Sequence, residues 1–383
     1  MLQPVRRVVL VGRSHVKGVQ WNGYRAYTAG SPRRQREPLN ILFCGADEFS
    51  IYSLRALREL QNRQPEKISS IDVVCRPDKR TGRGLKQVRQ VPIKPVASEL
   101  GLTLHQIDSF KAWSPPTPIN LVVAVSFGLL VPARILTGAK HGGLNVHPSL
   151  LPDLRGPAPI VHTLLQRRSH TGVTVQTMHP TKFDHGTIVA QTPAPGIQVA
   201  PQSTPQDLLD VLGPMGAETL SQTIERGSFV SPEQTMNSST THDHLEHAPK
   251  ITPQDRRIDW VSWSADDIIL RDRILGRLWD PELYMRCNKN TEDGMPKRIT
   301  LSGPWRVWTP EEINASVISN KGPGDPLRLY EPERPRDNVL GIVTCDRKVV
   351  CPASATIEGQ KKDTGLQALL ARVESVSTAP HKT

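Results

Sequence analysis

From Leu39 onward, short apolar runs alternate with segments whose apolar residues recur every three or four positions. Asn40-Ile41-Leu42-Phe43-Cys44 reads as a buried strand closed by a turn at Gly45, and Leu54, Leu57 and Leu60 place a helix over about 50–64. Ile71 to Cys75 is a second strand. A basic loop over 76–91 precedes a short helix from Pro95 to Leu100, and Leu102 to Leu104 is a third strand. Ile119 to Phe127 is the strongest strand signal, followed by a helix starting near Pro132 and a strand from Leu144 to His147. A helix beginning near Pro157 covers Ile160, Leu164 and Leu165. Gly172 to Met178 and Thr187 to Gln191 form a closing strand pair, and 204–225 predicts a long helix. Strands alternating with helices predict an α/β fold: a mainly parallel, doubly wound, Rossmann-like sheet. In such sheets ligands bind beyond the carboxyl ends of the strands.

Farther along the pattern changes. Residues 228–250 are rich in Ser, Thr, Pro and His and read as a linker or surface excursion. Short strand candidates follow at Arg298–Leu301, Arg306–Trp308, Leu327–Tyr330, Val339–Cys345 and Lys348–Cys351, separated by Gly, Pro and Asp turns. They predict a smaller C-terminal β module, barrel-like and of the OB type, with a final helix near Leu366 to Val373. The expected organisation is an N-terminal segment over 1–38, a catalytic α/β domain over 39–228, a linker and connecting helix over 229–290, and the β-rich domain over 291–383.

Composition adds one asymmetry. Formal charge is +11, yet residues 1–36 hold eight Lys or Arg and no acid, leaving 40 basic against 37 acidic residues in the remainder. An Arg-rich, acid-free N-terminus is the composition of a mitochondrial presequence, and the mitochondrial matrix is the expected location. Five cysteines without a C-x-x-C pair argue against a disulfide framework or a structural zinc site. No cluster has metal-ligand spacing, and no metal is expected. No apolar run approaches the roughly 20 residues of a membrane helix, so no membrane insertion is expected. No G-x-G-x-x-G follows the first strand, which leaves a nicotinamide or flavin cofactor unsupported.

The densest chemistry lies in Gly143-Leu144-Asn145-Val146-His147-Pro148-Ser149-Leu150-Leu151-Pro152, followed downstream by Phe183-Asp184-His185-Gly186. Residues i and i+2 of a strand share a face, so Asn145 and His147 can point into one pocket. Taken singly, Asn145 is as well a turn residue, His147 a core histidine and Asp184 a cap. Together an amide, an imidazole and a carboxylate suit the movement of an acyl group onto an amine.

This set resembles the folate-dependent formyltransferases. The resemblance implies Asn145, His147 and Asp184 as the catalytic trio and 10-formyltetrahydrofolate as the formyl donor. It implies that folate lies against Phe127, Gly128, Leu129 and Leu130 and the loop Ser149, Leu150, Leu151 and Pro152. Three further stretches are similar to the branch of the family that acts on methionyl-tRNA: Ser149 through Ile160, Arg76 through Gly84, and Arg257-Ile258-Asp259-Trp260. The likeness runs from about 39 to 309 and more weakly to 373, with a poor match over 280–300. Pro148 departs from it, because that branch often has Gly there and glycinamide ribonucleotide formyltransferases often have Pro.

From Arg76 to Lys94 there are seven basic residues against the single acid Asp78. Such residues give phosphates salt-sensitive affinity without reading sequence. The resemblance makes initiator methionyl-tRNA the expected partner, with Arg80, Arg83, Lys86 and Arg155 its candidate contacts, Arg83 foremost. A monomer is expected. The alternatives are transfer to a small amine, a silent RNA-binding relative, and a folate-dependent hydrolase releasing formate.

Overall fold

The computed structural model describes residues 37–230, 245–287, 295–313, 315–331 and 334–373. The presequence expected over 1–38 falls almost wholly outside the described residues, as does most of the 228–250 stretch. The described residues from Pro38 onward form one compact unit by their internal contacts.

Its first part is built from β1 (Leu39–Gly45), α1 (Glu48–Arg63), β2 (Ile68–Cys75), β3 (Lys79–Thr81), β4 (Gln87–Arg89), α2 (Ile93–Glu99), β5 (Thr103–Gln106), β6 (Leu121–Val125), α3 (Ala133–Gly138), β7 (Gly143–His147), α4 (Pro159–Leu165), β8 (His170–Thr171), β9 (Thr174–Thr177), β10 (Ile188–Gln191), β11 (Ile197–Gln198) and α5 (Pro205–Arg226). Seven of these strands make one sheet in the order β10-β9-β7-β6-β1-β2-β5. Its five central and outer strands β7, β6, β1, β2 and β5 run parallel, and β9 and β10 close the other edge antiparallel. The expected mainly parallel sheet and its closing strand pair are both present.

Both faces of the sheet are covered, which is why its strands read as continuous apolar runs and not as alternating ones. Ile41, Phe43, Val123, Leu144 and Val146 join the core under α1 and α5. Leu42, Cys44, Val122 and Ala124 pack on the opposite side with Phe110, Phe127, Ile135 and Leu136. Asn145 and His147 alternate with Leu144 and Val146, so the buried face of β7 fixes where the polar pair must point.

Helix ends follow their local chemistry. The Asp47 side chain accepts from the Ser50 N–H and starts α1. Thr204 and Asp207 form a capping box at the head of α5, Pro205 opens its first turn, and Gly227 ends it at φ 63°. Gly216 of α5 faces Val146, Phe49 and Val173; a Cβ there would stand 3.1 Å from the Val146 side chain. The helix thus sits directly beneath the strand that carries the polar pair.

The second part holds α6 (Ala265–Leu275), β12 (Leu278–Asp280), α7 (Leu283–Arg286), β13 (Ile299–Ser302), β14 (Arg306–Trp308), α8 (Ala315–Ser319), β15 (Pro326–Glu331), β16 (Arg334–Val343), β17 (Val349–Cys351), β18 (Ser354–Ile357) and α9 (Gly365–Leu370). Its strands form two antiparallel sheets, β12-β13-β18 and β14-β17-β16-β15. Trp260, from the Arg257–Trp260 segment, is buried there and donates its indole N–H to Asp280.

Candidate active site

The parallel strands end on one side of the sheet, and strand order turns back between β1 and β6, which opens a crevice beyond their carboxyl ends. Asn145 and His147 close β7 on that side, next to β6. Asn145 Nδ2 donates to the Ala124 carbonyl of β6 at 3.0 Å. His147 is 5% exposed, with Nε2 3.0 Å from the Leu154 carbonyl and Nδ1 3.5 Å from Asp184 Oδ1. A carbonyl oxygen only accepts, so Nε2 carries a hydrogen. Nδ1 is then the nitrogen turned toward the carboxylate, across a distance longer than a good hydrogen bond.

Asp184 comes from the loop between β9 and β10, with its backbone in the left-handed region at φ 55°. Asp tolerates that conformation better than most residues because its short polar side chain bonds locally. Here the Gly156 N–H donates to Asp184 Oδ2 at 2.9 Å, and Arg155 Nε donates to the Asp184 carbonyl at 2.8 Å. The three residue types singled out from sequence are therefore brought together, and the next loop clamps the acid in place.

The Ser149–Pro152 loop is woven into the same corner. Ser149 Oγ donates to the Asp153 carbonyl at 2.8 Å, and Thr174 Oγ1 donates to the Ser149 carbonyl at 2.7 Å. The Leu151 N–H donates to Thr174 Oγ1, and its carbonyl accepts from Gln191 Nε2. Leu150 and Leu151 are 8% and 2% exposed, so their side chains serve the interior. Phe127 likewise packs edge-on against Phe110 at 5.8 Å. Beyond β6, Leu130 is 37% exposed, and Gly128 at φ 75° has open space where a Cβ would point. This leaves a ledge of backbone and one apolar side chain next to β7, the kind of surface a flat ring with polar edges fits.

The basic loop is a hairpin, which the run of charges concealed. β3 and β4 pair antiparallel, Arg80 opposite Val88, with Gly82 and Gly84 at φ 78° and 72° turning the chain. Arg80 and Lys86 are exposed; the Arg83 side chain lies outside what is described. Lys94 is not a surface charge: its Nζ donates to Asp78 Oδ2 at 2.7 Å and Gln106 Oε1 at 2.9 Å, fixing the hairpin's base. The Asp78 carboxyl is held below its usual range by Lys94 and by the Val91 N–H. The hairpin follows the carboxyl end of β2 and so rises on the same side as the crevice. Arg155 is half-buried, with Nε spent on Asp184.

Two supports of the site escaped sequence reading. Gln176, 1% exposed on β9, stands opposite Asn145 and bonds both Asn145 and Asp184. Residues 245–248, part of the stretch read as linker, run along the loop after Pro152. The Leu154 N–H donates to the Glu246 carbonyl at 2.9 Å, and the Ala248 N–H to the Arg155 carbonyl at 2.7 Å. Burial pushes the Cys75 thiol up to about 11 and the Cys287 thiol up to about 12, which disfavours either as a nucleophile.

An amide, an imidazole and a carboxylate gathered beside the carboxyl end of β7 in an α/β sheet suit group transfer, and comparison gives the group. The formyl transferase family matches residues 39–224. The mitochondrial methionyl-tRNA formyltransferase of Saccharomyces cerevisiae is 34% identical over 301 residues, covering 69% of this chain and 74% of that one. The human mitochondrial methionyl-tRNA formyltransferase is 32% identical, covering 64% of this chain and 59% of its own length. A crystal structure of HypX from Aquifex aeolicus in complex with tetrahydrofolic acid aligns with a TM-score of 0.42 at 17% identity, over 90% of this chain and 50% of that one. The chain belongs to the formyl transferase family, and it is a formyltransferase.

Proposed function

We propose that the protein transfers the formyl group of 10-formyltetrahydrofolate to the α-amino group of methionine on initiator methionyl-tRNA, in the mitochondrial matrix. The observation that carries the chemistry is the meeting of Asn145, His147 and Asp184 at the end of β7, where Gln176 bonds the first and the third and His147 Nδ1 lies 3.5 Å from Asp184. The names of the yeast and human relatives support the acceptor and the compartment.

The donor supplies an electrophilic formyl carbon. A bond from the amine nitrogen to that carbon forms, the bond to the folate nitrogen breaks, and one proton passes from the first nitrogen to the second. Asn145 keeps one Nδ2 hydrogen after serving Ala124 and offers it to the formyl oxygen as charge develops there. A preorganised donor of this kind is worth about 3 kcal/mol. His147 Nδ1 and Asp184, 3.5 Å apart, would carry that proton, and Arg155 and Gly156 hold the acid still. Leu130 and the Gly128 backbone would receive the folate ring, with the 149–152 loop shaping the wall. Arg80, Arg83 and Lys86 on the hairpin would meet tRNA phosphates, and Arg155 would approach the acceptor end with the guanidinium edge left beyond Nε.

The test is transfer of labelled formyl from 10-formyltetrahydrofolate, with charged initiator methionyl-tRNA, glycinamide ribonucleotide and no acceptor in parallel. Label on the aminoacyl-tRNA is expected. Label on the nucleotide alone would overturn the acceptor, and formate released without an acceptor would mark a hydrolase.

A further inference from the structure

Gln176 ties the candidate catalytic groups into a chain of hydrogen bonds whose direction is set at both ends. At one end the Gly186 N–H points at the Gln176 side chain at 3.0 Å. A backbone N–H only donates, so the atom facing it is Oε1 and the amide cannot be reversed. The Nε2 group must then face the other way, where it lies 3.1 Å from Asn145 Oδ1 and 3.3 Å from Asp184 Oδ1. Its two hydrogens suffice for one bond to each.

At the other end the Ala124 carbonyl only accepts, so the Asn145 atom beside it at 3.0 Å is Nδ2. The Asn145 amide is fixed twice, by a carbonyl on its nitrogen and by Gln176 on its oxygen. Its remaining Nδ2 hydrogen has one direction left. Strand pairing supplies the placement, since Gln176 stands directly opposite Asn145 in the β7–β9 ladder. Gln176 is 1% exposed, so bulk water does not compete for these bonds.

We propose that Gln176 is a positioning residue for formyl transfer: it locks the Asn145 amide in its donating orientation and couples it to the Asp184 carboxylate through a single buried side chain. The inference rests on the reading of Asn145, His147 and Asp184 as the reacting set. Without Gln176 the Asn145 amide keeps only its bond to the Ala124 carbonyl, and its oxygen loses the donor that fixes the plane in which the second Nδ2 hydrogen points. The charged or titratable groups of the corner are Asp184, His147 and Arg155, and none of the three bonds the Asn145 amide. Among the described residues, Gln176 bonds both that amide and Asp184.

Two variants of the full-length protein test this. Gln176→Met keeps length and removes every polar atom. Gln176→Glu keeps the acceptor for Gly186 and sets a second carboxylate against Asp184. For both, kcat should fall by more than about tenfold, yet less than the ~100-fold cost of deleting an oxyanion donor outright, with KM for donor and acceptor within about twofold. In Gln176→Glu the acid limb of kcat/KM should also move to higher pH, because two carboxylates within hydrogen-bond reach resist sharing negative charge. A protein merely weakened would lose active fraction without moving that limb. If kcat and the pH profile of both variants match the parent, the proposal is overturned. Asn145→Ala and Asp184→Asn, assayed alongside, separate the premise: full activity in those would sink the reading of the site, whereas their inactivity beside a parent-like Gln176→Met would sink only the role of Gln176.

Discussion

His147 and Leu154 are joined through the imidazole Nε2 and a carbonyl oxygen 3.0 Å away, both in the protein interior. Leu154 presents that oxygen from a left-handed backbone, φ 56°, a conformation that costs an L-residue roughly 1–2 kcal/mol. The loop keeps it because the Leu154 N–H is held by Glu246 and the side chain is buried. The bond leaves Nδ1 facing Asp184 and commits the ring to one orientation. His147→Ala should therefore lower single-turnover transfer by at least about 100-fold, while charged tRNA still binds with affinity within about twofold of the parent. Filter binding beside the transfer assay checks both; retained transfer would remove His147 from the chemistry.

Gly186 has no room for a side chain, because a Cβ there would run into the Thr177 carbonyl of β9. Backbone in a strand does not yield as a flexible side chain does. Gly186→Ala should push the 183–187 loop outward, breaking the bond to Gln176 Oε1 and displacing Asp184. Overpacking of this kind costs about 1–3 kcal/mol. A lowered Tm with transfer reduced more than tenfold is the expected result, read by calorimetry and by the same assay; an unchanged Tm would mean that the loop is not held against β9.

The exposed charges on the β3–β4 hairpin give a prediction about salt. Arg80→Glu and Lys86→Glu should each raise KM for charged tRNA and flatten the dependence of affinity on salt by about one unit of log–log slope per lost phosphate contact. The kcat at saturating tRNA should stay near the parent value. A salt slope equal to the parent's in both would remove the hairpin from tRNA binding.

Acid should loosen the same hairpin. Lys94 and the Val91 N–H hold the Asp78 carboxyl below its ordinary range. A carboxylate whose folded value is depressed lends stability that is present above its unfolded value, roughly pH 4, and lost as pH falls through the folded one. Hydrogen exchange of residues 79–89, corrected for intrinsic rates, should therefore rise below about pH 4. In Asp78→Ala it should be high already at neutral pH and insensitive to acid. Parent and variant exchanging alike at neutral pH would mean that the clamp does not hold the hairpin.

The order of strands and helices was legible because burial on both faces of a parallel sheet forces unbroken apolar runs, as in Leu121 to Val125 and Ile71 to Cys75. Asn145, His147 and Asp184 stood out because their residue types and spacing belong together. The hairpin over 79–89 did not, because its strands are exposed on both sides and carry charges with no period-two pattern. Gln176 was invisible for a different reason. A Gln inside Thr-Val-Gln-Thr has no local signature, and its meaning arises from a partner 31 positions away in sequence. Residues 245–248 are the same case, as their bonds to the loop after Pro152 span about ninety positions.

The antiparallel pairing of β7 with β9 sets Asn145 against Gln176 and His147 against Thr174. Side chains alternate along both strands, so a slip of one residue would bring Val175 or Thr177 to the place of Gln176 and turn the polar pair of β9 toward the core. The wrong register would thus strip Asn145 of its Gln176 bond as well as pack badly. Specific activity of a preparation would then report on the alignment of its last strands, to which circular dichroism is blind.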